Sequence, residues 1–521
     1  MSLNQGLYIS YGSMKNNQYA LSVVAHNIAN INTEGYVKQR VNFEESVLYN
    51  GDTTVLGTIR SLNGSTLASI SDYLDEGALR NVIDSSSDAA YYNTLNDALS
   101  GLDEIADALG DNGLNALLND FYTAAANLEQ FPTDISIRQQ YIAAAENVCE
   151  KFNDISSKLN TSREEMASNV NSSVDTINSL LSKIAEANEA YIKTGKGTSA
   201  QSAIYSLVEE LSQYADVTTQ TNSNGMVSVY LGGIEVVQGA EQQYTLEANI
   251  DFNSPDKNVE LALRSTENED YVIDKGITEK VTGGSFGAQV EFLNGSESYY
   301  NYDDVEELIN SAANDFATAL NEIQTYGSED DADVFAAYLK SDGNGNTVLE
   351  KVSADMYDEL VMFNTSDGTT TITAGNIRVN QSIIDNPNYV AAARIDLADY
   401  TNEDGTISDD WKNAVGNSNN ANEIMDLQNR KICDYKGTDC TLSNFLNTLA
   451  GKVGQDANDA ESQADLYQDI KDEAKTNYLN LIGVNLDEEL SDMLRYQRAY
   501  EASARLFSTI NGLYDTILGM V

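Results

Sequence analysis

Residues 133–192 read TDISIRQQYIAAAENVCEKFNDISSKLNTSREEMASNVNSSVDTINSLLSKIAEANEAYI, 60 residues with neither proline nor glycine. Apolar side chains recur through this stretch at Ile142, Cys149, Phe152, Ile155, Leu159, Met166, Val170, Val174, Ile177, Leu181, Ile184 and Ala187. Spacings of three, four and seven place them on one stripe of an α-helix. At 1.5 Å per residue such a helix is about 90 Å long. A helix of that length cannot wrap a globular core and calls for other long helices packed along it. Pro132 stands just ahead, where a helix start tolerates it. Cys149 lies on the stripe and reads as a small buried apolar side chain rather than a nucleophile. The chain has three prolines in 521 residues, at 132, 255 and 387, so other long helices are permitted.

Outward from this stretch the periodicity changes twice. Residues 71–130 are helical in period, with Leu95, Leu99, Leu102, Ile105 and Leu109, then Leu114, Leu117, Leu118 and Phe121. A short helix over 204–214 closes the section. Period two then takes over in VTTQTNSNGMVSVYLGGIEVVQG, with Asn224-Gly225 as a hairpin signal. Residues 216–298 read as mainly strands, 302–325 as a helix, and 328–400 as loops and short strands. Helices resume over 419–429, 441–479 and 485–519. At the other end, 3–29 reads as one helix. Turn formers Asn30, Asn32, Thr33 and Gly35 follow it, and then an extended stretch, 36–70, with strand-like pieces from Tyr36 to Val41 and Thr54 to Ile59. The order predicts a mainly α fold with an inserted β-rich domain, on an elongated rod of long helices built from both chain ends. Residues 1–35 with 485–521 form the expected terminal coiled-coil or assembly domain. Residues 36–215 with 400–484 form the long-helix rod, and 216–399 a mainly β outer domain with a helix near 302–325.

The two ends are patterned alike. Leu7, Met14, Leu21 and Ile28 fall seven residues apart, as do Met493, Tyr500, Phe507, Tyr514 and Val521. A repeat of seven keeps side chains close to the seam of a coiled coil. Residues 1–40 hold Lys15, Lys38 and Arg40 against Glu34, while 485–521 hold six acidic residues and three arginines. Opposite charge favours pairing of the ends with each other or with neighbouring copies. Packing within a monomeric coiled coil is the plainer alternative. The chain has 30 tyrosines and one tryptophan, Trp411. Tyr496, Tyr500 and Tyr514 sit on or beside the last stripe, where an aromatic body with a polar edge suits an interface formed from water.

Composition excludes several functions. The net charge of −51, from 81 acidic and 30 basic residues, repels nucleic acid and anionic lipid. No run reaches the roughly 18 apolar residues of a transmembrane helix, and the N-terminus lacks the pattern of a secretory signal peptide. His26 is the single histidine and lies beside the first stripe, which argues against a catalytic dyad or a histidine metal site. No phosphate-binding glycine loop, zinc spacing or EF-hand loop occurs, and no carboxylate pair stands out for glycoside hydrolysis. No enzyme activity, cofactor or metal is expected. The segment CDYKGTDC leaves open either a local disulfide between Cys433 and Cys440 or two free thiols.

The stretch LSVVAHNIANINTEGY, 21–36, resembles the N-terminal signature of the axial proteins of the bacterial flagellum: the rod, hook and hook-associated proteins. The matching residues are Leu21, Ala25, Asn27, Ile28, Ala29, Asn30, Asn32, Thr33, Gly35 and Tyr36. The C-terminal GVNLDEELSDMLRYQRAYEASARLFSTINGLYDTILG matches through Gly483, Val484, Asn485, Leu486, Glu488, Glu489, Leu494, Gln497, Tyr500, Ala502, Ala504 and Leu518. Phe121, Pro132, Arg138, Gln139, Ile177, Asn178, Leu180, Ile184, Asn188 and the segment GNIRVNQSIIDNPNYVAAA add a resemblance to the hook-associated proteins of the first hook–filament junction. Good matches cover about half of the chain. Glu34 stands where proline is common, and VTGGSFGAQVEFLNG keeps a faint resemblance.

The resemblance implies a structural, extracellular subunit of the flagellum, exported unfolded by the flagellar type III apparatus without a cleaved signal. It implies terminal segments that order on assembly, a ring of copies between hook and filament, and four partners. These are other copies of the chain, hook protein, the second junction protein, and an export chaperone at the C-terminal helix. The assembly residues it points to, together with the heptads, are Leu7, Met14, Leu21, Ile28, Asn30, Gly35, Leu490, Met493, Gln497, Tyr500, Phe507 and Tyr514. Hook protein or the second junction protein is the alternative within the family. Flagellin is set aside because its end motifs differ, and a secreted enzyme or adhesin with axial-type ends is the alternative outside it.

Overall fold

The computed structural model describes residues 3–32, 36–49, 60–72, 75–110, 112–193, 198–254, 258–329 and 331–519. The chain opens with α1 (Leu3–Ala29), then a long antiparallel ribbon of β1 (Gln39–Tyr49) and β2 (Arg60–Asp72). Helices α2 (Glu76–Ala106), α3 (Leu114–Gln130) and α4 (Ile135–Lys193) follow. The side chain of Asp75 caps α2, accepting from the Ala78 N–H at 2.9 Å. The proline- and glycine-free stretch forms one helix of 59 residues, α4. It buries the expected stripe except Ala187, which is half-buried.

After α5 (Thr198–Ser212) come two antiparallel sheets. One holds β3 (Val217–Thr221), β4 (Val227–Leu231), β5 (Ile234–Gln238) and β6 (Glu241–Gln242), and the other β7 (Tyr244–Ile250), β8 (Val259–Ser265) and β9 (Val272–Ile273). Gly225, at φ +86°, turns the first hairpin, and Asn222 Oδ1 accepts from the N–H groups of Asn224 and Met226. Helices α6 (Gly284–Asn294) and α7 (Tyr302–Gln324) lie against α4.

A further sheet has the order β11 (Thr347–Lys351), β10 (Val334–Ser341), β14 (Ala393–Asp396). Its central strand is buried on both faces: Phe335, Ala337 and Leu339 pack with Trp411, and Ala336 and Tyr338 with Val352 and Leu360. Between its strands lie α8 (Tyr357–Leu360), the ribbon of β12 (Phe363–Thr365) and β13 (Ile377–Val379), and α9 (Gln381–Asp385). The chain returns through α10 (Asn419–Asp426), the hairpin of β15 (Cys433–Tyr435) and β16 (Thr438–Cys440), α11 (Leu442–Ile482) and α12 (Leu486–Leu518). The fold is mainly helical, with long terminal helices flanking a β-rich insertion of several small sheets.

Two packings join distant parts of the chain. α11 runs antiparallel to α2, and Tyr92 stacks on Tyr467 with ring centroids 4.2 Å apart. Arg138, buried at the start of α4, donates to the carbonyls of Pro132 at 2.7 Å, Pro387 at 3.1 Å and Val390 at 2.7 Å. Burial lowers its pKa to about 10, and the carbonyl dipoles supply the acceptors that water would otherwise give.

The structure corrects three readings. The helical stretch expected over 71–130 begins as strand, since β2 extends to Asp72, and its two apolar groups, Leu109 aside, fall on α2 and α3. Tyr36 to Lys38 precede β1 rather than forming strand, and Thr54 to Ile59 lie outside the described residues. Within the expected strand region, Gly284–Asn294 is a helix, because positive φ at Gly283 and Gly284 turns the chain onto α5's end. There the N–H of Phe286 donates to the Tyr214 carbonyl at 2.9 Å. A Cβ on Gly284 would fall 2.3 Å from the Tyr214 carbonyl carbon, so the close approach needs glycine.

Candidate assembly interface at the paired termini

α1 and α12 pair antiparallel. The Tyr514 hydroxyl donates to Asn4 Oδ1, Ser13 and Ser503 share a hydrogen bond at 2.9 Å, and Asn27 Nδ2 donates to Glu489 Oε2 at 3.1 Å. A Cβ on Gly6 would lie 2.9 Å from Ile510 Cδ1, so the helices come close there. The buried row of α1 is Gly6, Ser10, Asn16, Ala20, Val23, Val24 and Asn27, most of it small or polar. On α12, Glu489 and Ile510 are buried, and Met493, Tyr496, Tyr500, Ser503, Phe507 and Tyr514 are half-buried at spacings of three and four around them. At Gly6 a small residue of the first helix meets a bulky one of the last, Ile510.

The expected assembly residues divide accordingly. Leu7, Met14, Leu21 and Ile28 are half-buried, and Leu7, Met14 and Ile28 each follow a residue that touches α12, namely Gly6, Ser13 and Asn27. Met493, Tyr500, Phe507 and Tyr514 lie on the face toward α1. Asn30 holds the end of α1, its Nδ2 donating to the His26 carbonyl at 2.9 Å. Leu490 and Gln497 are exposed, and Gly35 lies outside the described residues. The pairing leaves Leu486, Leu490 and Leu494 uncovered near the start of α12, and Leu506, Leu513, Ile517 and Leu518 uncovered near its end.

A polar node that the heptads do not reveal ties this pair to the body. Asn27 Nδ2 also donates to the Gln39 carbonyl at 2.9 Å, while its Oδ1 accepts from the Gln39 N–H at 3.0 Å and the Tyr36 hydroxyl at 2.8 Å. Lys38 Nζ sits 3.0 Å from the buried carboxylate of Glu489 and 3.1 Å from Glu488. The Lys38 N–H donates to the Ile482 carbonyl at 2.9 Å, the last residue of α11. Burial opposes the Lys38 charge, but the two carboxylates outweigh it and raise its pKa. Asn485 caps α12 by accepting from the Asp487 N–H at 3.0 Å, and the acidic first turn suits the positive end of the helix. Asn27, Tyr36, Glu488 and Glu489 all belong to the end motifs. The sign of Lys38 against two glutamates was the signal available for their contact.

Chemistry beyond packing is sparse. Among the described residues, no group of three or more His, Cys, Asp or Glu side chains is placed to hold a metal. Nor is any helix long and apolar enough to cross a membrane. An open groove of about 1030 Å³ between α4 and the β7–β8 sheet is lined by residues such as Asn171, Asp175, Glu247, Glu260 and Lys275, with no histidine or cysteine among its lining.

The chain is similar to known proteins along most of its length. The flagellar hook-associated protein FlgK helical domain matches residues 99–335. The flagellar basal body rod FlgEFG protein C-terminal domain matches 475–520, and the flagella basal body rod protein domain matches 7–36. Flagellar hook-associated protein 1 of Bacillus subtilis (strain 168) is 24% identical over 533 residues, covering 98% of this chain and 97% of its own. That of Salmonella typhimurium (strain LT2) is 22% identical over 559 residues, covering 96% and 97%. The structure of the flagellar hook junction protein FlgK from Burkholderia pseudomallei superposes with a TM-score of 0.55 at 15% identity, over 76% of this chain and 98% of that one.

Proposed function

Since the chain belongs to the family of flagellar axial proteins that includes hook-associated protein 1, we propose that it is a structural subunit of the hook–filament junction, joined to its neighbours through α1 and α12. The observation that carries this reading is the uncovered apolar surface of α12. After α1 has packed on one face, Leu486, Leu490, Leu494, Leu506, Leu513 and Ile517 remain exposed on others. Several exposed large apolar side chains on one helix mark an interaction site. In this reading copies of the chain form a ring, outside the cell, between hook protein and the second junction protein. An export chaperone shields the C-terminal helix beforehand, and passage is through the type III apparatus. Residues 1–35 with 485–521 are the assembly domain, 36–215 with 400–484 the rod, and 216–399 the outer domain.

The test adds purified protein to isolated hooks. Phe507→Asp, in the α1-facing row, and Leu494→Asp, in an uncovered row, should both fail to incorporate, while the cooperative melting of the 36–480 body is kept. Incorporation of Leu494→Asp at the wild-type level would remove the uncovered face from assembly. Loss of the body's melting in Phe507→Asp would mean that the terminal pair is part of the core rather than an assembly surface.

A further inference from the structure

The hairpin of β15 and β16 sets Cys433 directly opposite Cys440. Its turn is Lys436-Gly437, at φ 51° and 83°, the left-handed pair a two-residue hairpin loop requires. Tyr435 pairs with Thr438 and Asp434 with Asp439, so the register is continuous up to the cysteines. Directly opposed residues of an antiparallel pair have Cα atoms about 4.5–5.5 Å apart, within the roughly 4.4–6.8 Å that a disulfide spans. Both thiols are free. Cys433 is buried in the main core between α7 and α11, and Cys440 is half-exposed just ahead of Thr441, the residue that caps α11. Cys149, the remaining cysteine, is buried in α4.

We propose that Cys433 and Cys440 are a reversible thiol pair, a modification site that closes to a disulfide by exchange with a small-molecule disulfide such as oxidised glutathione. Cys440 is the entry point because solvent reaches it. Its thiol gives a proton to water, and the thiolate attacks one sulfur of the small disulfide. That S–S bond breaks, and one small thiolate leaves and takes up a proton. Cys433, deprotonated in turn, attacks the Cys440 sulfur and expels the second small thiolate. Two protein thiols are oxidised and one small disulfide is reduced to two thiols. Burial, reinforced by Asp434 and Asp439, raises the Cys440 thiol, and burial with Asp315 nearby pushes Cys433 up to about 12. Few thiolates form at neutral pH, so exchange is slow and the pair rests as thiols until a disulfide is abundant. Closure staples the hairpin at the start of α11.

The full chain, incubated with oxidised glutathione, is denatured, alkylated with N-ethylmaleimide and mapped by peptide mass. The expected result is alkylation at Cys149 alone and a cross-linked fragment joining Cys433 to Cys440. Cys433→Ser should instead trap glutathione on Cys440, and Cys440→Ser should take up none, its remaining hairpin thiol being buried. Alkylation of all three cysteines in the wild-type chain overturns the proposal. So does glutathione left unresolved on wild-type Cys440, or disulfides between chains in place of the internal one.

Discussion

Asn27 uses its amide oxygen and nitrogen at one place, binding Gln39 and Tyr36 on one side and Glu489 on the other. A buried carboxylate such as Glu489 is tolerated because Lys38 and Asn27 both face it. Glu489→Ala leaves the Lys38 ammonium and the Asn27 amide partly unmatched, which costs about 3 kcal/mol for a buried pair broken on one side. Tryptic cleavage at Lys38 and Arg40 should then speed up roughly a hundredfold where cleavage follows local opening. An unchanged rate would mean that the node does not hold the terminal pair. The raised Lys38 pKa gives the pH dependence its sign. The lysine's contribution is complete below its ordinary value of 10.5 and is lost as pH rises through the higher folded value. The terminal pair should therefore loosen on the alkaline side and not near neutrality through this group.

Among the helices, α4 and α12 both carry an apolar stripe but differ in what covers it. α4 buries Phe152, Ile155, Val170, Ile177 and Ile184 among many others, each worth roughly 1.5–3 kcal/mol when fully buried. α12 buries Glu489 and Ile510, and α1 meets it through small or polar residues, Gly6, Ser13 and Asn27. A helix with so little buried surface is marginal by itself. Amide exchange in the free protein should be fast across 3–29 and 486–518 and slow along α4, and the terminal helices should become protected when the protein is added to isolated hooks. Terminal protection equal to that of α4 in the free protein would mean that the pair is already complete, and ordering on assembly would have to be given up. The single helix α4 was legible because its period runs unbroken. α6 was not, because its apolar run suits strand and helix alike and the positive φ of Gly283 and Gly284 decides between them.

For the molecule as a whole, the charge of −51 is a load that packing must carry. Raising ionic strength from about 0.01 M to about 1 M shortens the screening length from about 30 Å to about 3 Å, so the melting temperature at neutral pH should rise with added sodium chloride. A melting temperature that falls or stays level would show the carboxylates to be locally compensated. Acid should act in the same direction at first. Asp84 and Asp88 have pKa values raised by burial and by the Asp216 charge. A carboxyl whose folded pKa lies above its unfolded one gains stability as pH falls through the raised value toward the ordinary Asp range. Asp342, Asp367 and Asp404, held low by hydrogen bonds in their turns, oppose this only at lower pH.

Local pattern alone determined the long helix, the helix–strand–helix order and the kinship of the two ends, because each depends on periodicity over neighbouring residues or on short motifs. The same pattern marked Leu7, Met14, Leu21 and Ile28 as a stripe, and a stripe records only that a face is apolar. Which row of α1 meets α12 was decided by the shape of the partner. The side chain of Ile510 needs a small residue opposite, and Gly6 supplies it one position before Leu7. Tertiary structure likewise brought Asn27 to Glu489, Arg138 to the carbonyls of residues 387–390, and α2 against α11. Contacts across hundreds of residues leave no local period in the chain, because they are set by geometry and by the need of each buried polar group for a partner.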